Sequence, residues 1–304
     1  MDIVRSATFH TQGVVLTLGN FDGVHRGHQA LLSEVKKQAV ALQAQAMALT
    51  FYPPPKVYFL KEQYSFIHTF ADKCRLMHAA GIDEILFLRF NQAMAELSAE
   101  RFFEKYILPL NIKALILGDD FHFGKKRAGN AALLAQYGQK HGFGVTQLQT
   151  QNSESVRISS SRIRHLLMQG ELAAAHALLG HAPVVTGHVI HGAKRGRHFG
   201  FPTLNLKVND PLCFAGIFAV KVLGLFDEPV EGVASLGPRP MYDKDDTQLL
   251  EVFVFDKKLD AYGKKVSVQF FKKIRDMKHF ESEAQLIHAM QDDLHQAKLF
   301  FGMV

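Results

Sequence analysis

GNFDGVHRGH, residues 19–28, is the stretch from which the first half of the chain is read. VVLTL (14–18) precedes it as an apolar run of strand length, and QALLSEVKKQAVALQ (29–43) follows with apolar residues at helical spacing. The motif therefore sits at a strand-to-helix junction, where unpaired N–H groups and the helix dipole favour an anion. His25 and His28 are three residues apart, on one face of the first helical turn, and Gly27 removes a side chain that would block a ligand. Two imidazoles so placed can grip a polyphosphate. The same residues also allow a helix cap without a ligand, or a metal site completed by Asp22 at the same three-residue step.

Outward from the motif, short apolar runs alternate with helical patterns: AMALTF (46–51), EILFL (84–88), KALIL (113–117) and GVTQLQ (144–149). Such alternation predicts a doubly wound parallel sheet, in which ligands bind beyond the carboxyl ends of the strands. GNFDGVHRGH, TFYPPP (50–55) and LGDDFHFG (117–124) each follow a strand end, and the last strand leads to RISSSRIRHLLMQG (157–170), whose serines suit a helix N-cap. After GHAPVV (180–185) the pattern changes. VVTGHVI, IFAVKVL, LLEVFVF and KVSVQFF follow one another between Gly/Pro/Asp turns, which predicts a small antiparallel β-barrel, and residues 283–300 read as an amphipathic helix covering it. The expected fold class is α/β with two domains, a parallel-sheet domain over 1–182 and a barrel domain with a terminal helix over 183–304.

A length of 304 residues suits two domains, and 47% hydrophobic with 21% charged residues is an ordinary soluble composition. No apolar run reaches the ~20 residues of a membrane span, and the N-terminus has no signal-peptide pattern, so a cytoplasmic protein without a membrane partner is expected. Cys74 and Cys213 fall in different predicted domains, which supports neither a disulfide framework nor a thiolate metal site. The net charge of +6 raises nucleic-acid binding. Its basic residues, however, gather in three short clusters (125–127, 194–197, 272–275), which fit compact phosphorylated substrates better than a polymer.

G-x-F-D-G-x-H-x-G-H resembles the signature of the nucleotidyltransferase superfamily, in the form found in bacterial riboflavin kinase/FAD synthetases. Three further stretches agree in order: TFYPPP resembles T-F-x-P-x-P, LGDDFHFGKKRAGN (117–130) resembles the flavin-site G-x-D-F-x-F-G, and RISSSRIR (157–164) resembles I-S-S-T-x-I-R with Ser161 for threonine. The resemblance implies transfer of AMP from ATP to FMN, giving FAD and pyrophosphate. His25 and His28 would then contact the ATP phosphates, with His28 stabilising the transition state. Gly19, Asn20 and Asp22 would shape the pocket, and Arg157, Ser160, Ser161 and Arg164 would receive triphosphate oxygens. Asp120, Phe121 and Phe123 would hold the flavin, the phenylalanines offering flat apolar faces.

In the second half, GHVIHGAKRGRHFGFPTLNL (187–206) resembles the riboflavin kinase run G-x-x-x-G-x-x-x-G-F-P-T-x-N. Gly192, Lys194 and Gly196 would bring backbone N–H groups and charge to phosphate, while Thr203 and Asn205 would hold Mg²⁺ with ATP. Glu251 stands where the family keeps its catalytic carboxylate, and Arg275 among the flavin surroundings. Four residues depart from the family pattern: Ser235, Met241, Phe253 and Met277. The expected function is a bifunctional enzyme that makes FMN and then FAD from riboflavin and ATP, with no nucleic acid and no obligatory protein partner. The rivals are a monofunctional FAD synthetase with a weak or inactive kinase half, a flavin-binding storage or regulatory protein, and a nucleic-acid binder.

Overall fold

The computed structural model describes residues 2–4, 6–7, 9–60, 64–149, 152–153, 156–192, 201–238, 248–256 and 261–304. The chain separates into two compact units, Met1–Tyr64 with Lys73–Ser159, and Ser65–Asp72 with Ser160–Val304.

The first unit is built on β1 (Asp2–Val4), β2 (Val14–Leu18), β3 (Gln45–Phe51), β4 (Glu84–Leu88), β5 (Ile112–Gly118) and β8 (Gly144–Leu148). They form one sheet in the order β1-β4-β3-β2-β5-β8, and every pair is parallel. All five residues of β2 are buried, as a central strand covered on both faces requires. The strand order reverses between β2 and β5, so the loops leaving their carboxyl ends flank the crevice where such sheets bind ligands. Helix α1 (Arg26–Ala41) covers the sheet with Leu31, Leu32, Val35 and Ala39. It starts three residues earlier than the apolar spacing predicts because His25 serves as its N-cap. The edge strand β1 was also absent from the sequence reading.

Shorter elements complete this unit: α2 (Pro55–Leu60), α4 (Gln92–Ala95), α5 (Ala99–Phe102), the hairpin pair β6 (His122–Phe123) and β7 (Gly129–Asn130), and α6 (Ala131–His141). β9 (Asn152–Ser153) and β10 (Val156–Arg157) form a small ribbon. Helix α3 (Phe70–Ala79) begins within the segment assigned to the second unit and continues in the first.

In the second unit, α7 (Ser160–Gln169) and α8 (Leu172–Leu179) precede six antiparallel strands. These are β11 (Val184–His188), β12 (Leu204–Val208), β13 (Gly216–Leu223), β14 (Val230–Pro238), β15 (Gln248–Val254) and β16 (Lys265–Arg275). Their order is β11-β16-β13-β14-β15-β12, and the Ile190 N–H donates to the Asn205 carbonyl at 2.8 Å, so the first and last strands nearly close the expected barrel. β12 and β14 were not singled out from sequence. Residues 65–72 are tied into this unit: the Phe66 N–H donates to the Pro211 carbonyl (2.7 Å), the Phe70 N–H to Asp210 Oδ2 (2.7 Å) and the Thr186 N–H to Asp72 Oδ2 (2.9 Å). The final helix, α9 (Glu283–Phe300), capped by Ser282, packs on β13, β14 and β16.

Both cysteines are buried free thiols, and burial pushes Cys74 up to about 11, consistent with packing roles. Inside the barrel, Phe218 is fully buried with its ring edge-on to Phe214 and Phe270 at 5.7 and 5.3 Å. We expect Phe218→Ala to cost about 3–5 kcal/mol, measured by urea unfolding of the full chain. A loss below about 1 kcal/mol would contradict this packing, since even a single deleted methylene is felt in a close-packed core.

Candidate functional site

Between β2 and α1 the backbone turns sharply through Phe21 (φ 50°), Gly23 (φ 84°) and Val24 (φ 40°). The Gly19 N–H donates to the Leu49 carbonyl at 3.1 Å, and the Phe21 ring folds back so closely that a Cβ on Gly19 would lie 2.9 Å from it. His25 then caps α1 with its Nδ1, accepting the His28 N–H at 3.3 Å. In the neutral ring this acceptor role leaves the proton on Nε2, which is thereby the donor available to a ligand. The two imidazoles are stacked, centroids 3.7 Å apart and 14° from coplanar, with Phe21 edge-on to His28 at 5.3 Å. The room that Gly27 supplies is taken by His25 itself, whose Nδ1 lies 3.3 Å from where a Cβ would be.

Burial lowers His25 to about 4, opposed in part by its backbone hydrogen bond and the Asp120 carboxylate. His28 is held well below the usual histidine range by burial first, then by the neighbouring His25 and Lys73. Both rings are therefore neutral near pH 7. Among the described residues, His28 Nδ1 is buried without a hydrogen-bond partner. The influence of Asp120 on His25 links the loop after β5 to the loop after β2. Asp22 accepts from the Tyr64 hydroxyl at 3.0 Å. Among the described residues no three His, Cys, Asp or Glu side chains gather to hold a metal, so Asp22, His25 and His28 do not form the triad that their spacing allows.

Phe121 is half-buried and stacks at 5.7 Å on Phe123, which belongs to the core and is packed beside Phe102. Ser160 and Ser161 open α7 in the second unit, where Arg164 Nε donates to the Ser65 carbonyl at 3.0 Å; Arg157 ends β10. Three residues beside the histidine loop escaped the sequence reading as site residues. Thr50 and Lys73 both donate to the Asn20 carbonyl, at 3.4 and 3.3 Å, and Tyr64 bonds Asp22. Thr50 lies inside TFYPPP and could have been found there. Tyr64 and Lys73 lie in no motif.

In the second unit, register assembles the site. Glu251 on β15 stands directly opposite Asn205 on β12 and Ser235 on β14, so the three side chains share one face of the barrel sheet. Asn205 is 6% exposed, and its Oδ1 is buried without a hydrogen-bond partner among the described residues; its Nδ2 donates to the Thr203 carbonyl at 3.3 Å. Gly192 closes over this amide, where a Cβ would lie 2.5 Å from it. A neutral oxygen left open in a polar cradle fits a hard cation. Lys194 and Gly196 lie outside the described residues.

Of the four departures from the family pattern, Ser235 donates to Met277 Sδ at 3.6 Å, and Phe253 packs edge-on against Phe201 at 5.4 Å; Met241 lies outside the described residues. Arg275 is engaged: its Nε and Nη2 each meet an Asp293 carboxylate oxygen at 2.7 Å, pinning α9. Other members of the basic clusters are likewise paired, Lys125 with Glu96 and Lys273 with Asp276. These pairings weaken the expectation that the clusters exist to receive phosphate.

A sequence model of the FAD synthetase family matches residues 8–162, and one of the riboflavin kinase family matches residues 179–301. The bifunctional riboflavin kinase/FMN adenylyltransferase of Escherichia coli K12 is 38% identical over 295 residues, covering 96% of this chain and 94% of that protein. The protein of the same name from Haemophilus influenzae is 38% identical over 296 residues, covering 96% and 95%. A solved structure described as a macrolide-efflux protein from Streptococcus pneumoniae superposes with a TM-score of 0.76 at 30% identity, covering 96% of each chain. Efflux belongs to that description alone, and no helix among the described residues is long and apolar enough to cross a membrane. The chain belongs to the bifunctional riboflavin kinase/FMN adenylyltransferase family, a transferase that phosphorylates riboflavin and adenylylates FMN.

Proposed function

We propose that adenylyl transfer is carried out by residues 1–182 around the stacked His25–His28 pair, and phosphorylation by residues 183–304 around Glu251. The observation that carries the first assignment is the pair itself: two buried neutral rings at a helix N-terminus, at the point where the sheet order reverses. An anionic triphosphate would supply the charge that this site lacks. A phosphate oxygen of FMN attacks the α-phosphorus of ATP, the bond to the β-phosphate oxygen breaks, and pyrophosphate leaves with that electron pair. The nucleophile is already anionic, so the residues align and neutralise and no strong base is needed. His25 Nε2–H and His28 receive phosphate oxygens, and Gly19, Asn20 and Asp22 shape the loop. Arg157, Ser160, Ser161 and Arg164 would receive triphosphate oxygens, and Asp120 with Phe121, propped by Phe123, takes the flavin.

In the barrel, Glu251 accepts the proton of the ribityl 5′-hydroxyl as its oxygen attacks the γ-phosphorus of ATP and ADP leaves. Thr203 and Asn205 would hold Mg²⁺, which when bound screens the triphosphate charge. This role is supported by the open Asn205 Oδ1 under Gly192. Gly192, Lys194 and Gly196 serve the phosphates. Arg275, its guanidinium held by Asp293, belongs to the flavin surroundings.

Incubation of the protein with riboflavin, ATP and Mg²⁺ should give FMN and then FAD by chromatography. His28→Ala should lower FAD formation from FMN by about 10²-fold or more while sparing FMN formation, and Glu251→Ala should do the reverse. Equal loss of both activities in a folded variant would contradict the assignment of sites.

A pH dependence follows from His25. Its folded pKa of about 4 lies below the ordinary histidine value of 6.5, so the unfolded chain takes up the proton first. The contribution to stability is whole above about 6.5 and is lost as the pH falls towards about 4. It amounts to on the order of 3 kcal/mol. Urea midpoints between pH 7 and 4 should fall less steeply in His25→Gln than in the parent, and parallel curves would contradict the burial.

A further inference from the structure

Lys73, in the first turns of α3, is only 7% exposed. Lysine is almost never so deep without a fixed set of partners. Its Nζ donates to the Asn20 carbonyl at 3.3 Å and to Thr50 Oγ1 at 3.1 Å, and Thr50 Oγ1 lies 3.4 Å from the same carbonyl. Asn20 belongs to the loop that leaves β2, and Thr50 to β3, its neighbour in the sheet. The ammonium therefore ties the start of the histidine loop to the adjacent strand, and its charge is felt at His28. No sequence motif contains Lys73, and neither reaction described above assigns it a part.

We infer that Lys73 is a positioning residue for adenylyl transfer: its ammonium locks the Asn20 carbonyl to Thr50, fixes where residues 19–28 leave the sheet, and places a cation close enough to act on His28. This rests on the reading of His25 and His28 as the phosphate site. Small displacements of such a loop are costly because the transfer depends on in-line alignment. The charge has a second consequence. The groups bearing on His28 are His25 stacked on it, Phe21 at its edge and Lys73, while Asp120 acts on His25. Burial first and His25 second hold His28 neutral, and Lys73 adds to them by opposing its protonation.

The test uses the full chain, with the folding of the first unit read from retention of its dispersed NMR spectrum and that of the second from riboflavin kinase activity. Lys73→Met keeps the length of the stem and removes the charge. It should lower FAD formation from FMN by about 10- to 100-fold and leave FMN formation unchanged. In its NMR spectrum the His28 ring resonance, assigned by loss in His28→Ala, should titrate at higher pH than in the parent. Thr50→Val removes the side-chain acceptor but not the charge, and should lower FAD formation about fivefold, a loss of one fixed contact, without moving the His28 titration. FAD formation within twofold of the parent in both variants, or an unmoved His28 titration in Lys73→Met, overturns the inference. Should Lys73→Met lose both activities, Thr50→Val decides: an unchanged FAD rate there overturns the clamp. Full FAD formation by His28→Ala instead overturns the underlying site assignment, which separates the two failures.

Discussion

The His25–His28 stack is the interaction on which the first site depends. Burial in a low-dielectric pocket and the positive end of α1 both disfavour a charged imidazole, so the rings stay neutral and lie face to face without mutual repulsion. The geometry is enforced by the chain around it: His25 accepts the N–H of His28, Gly27 admits the His25 ring, and the Phe21 ring stands edge-on to His28. Each of these depends on the strained turn at 21–24, which the sheet fixes through Gly19, Asn20 and the strands beneath them. The result is a pair of neutral rings at a helix N-terminus, on which the proposed phosphate site rests; in that proposal alignment and charge neutralisation replace a strong base.

The second unit reaches a comparable end through strand register. A slip of one residue between β15 and either neighbour would send Glu251 to the opposite face from Asn205 and Ser235. The Ile190–Asn205 bridge that nearly closes the barrel therefore also fixes the proposed cation ligand beside the proposed base. Ser235 and Met277 touch each other next to that row, so two of the departures from the family pattern form one local change and leave Asn205 and Glu251 in place.

Much of this was legible in the sequence. Apolar run lengths and glycine-rich junctions revealed a parallel sheet and the change to antiparallel structure, because burial on two faces or one leaves a direct imprint on residue pattern, though not the order of the strands in either sheet. The strands β12 and β14 were missed: LNLKV is short, and GVASLGP contains two glycines and a proline that read as a turn. The pairing of residues 65–72 with residues around 186 and 210 leaves no local trace, since Asp72 and Asp210 act by accepting backbone N–H groups that any residue supplies. Lys73 and Tyr64 were hidden for the same reason, as their partners lie 53 and 42 residues away. Arg275 was legible as a conspicuous cation but not as one committed to Asp293.

The most direct test of this account is an NMR titration of the His25 ring with and without bound ATP. A desolvated ring waiting for an anion should titrate near pH 4 in the free protein and move clearly upward when the triphosphate binds. A His25 that titrates near its ordinary value in the free protein, or that ATP leaves unmoved, would contradict the proposed phosphate site.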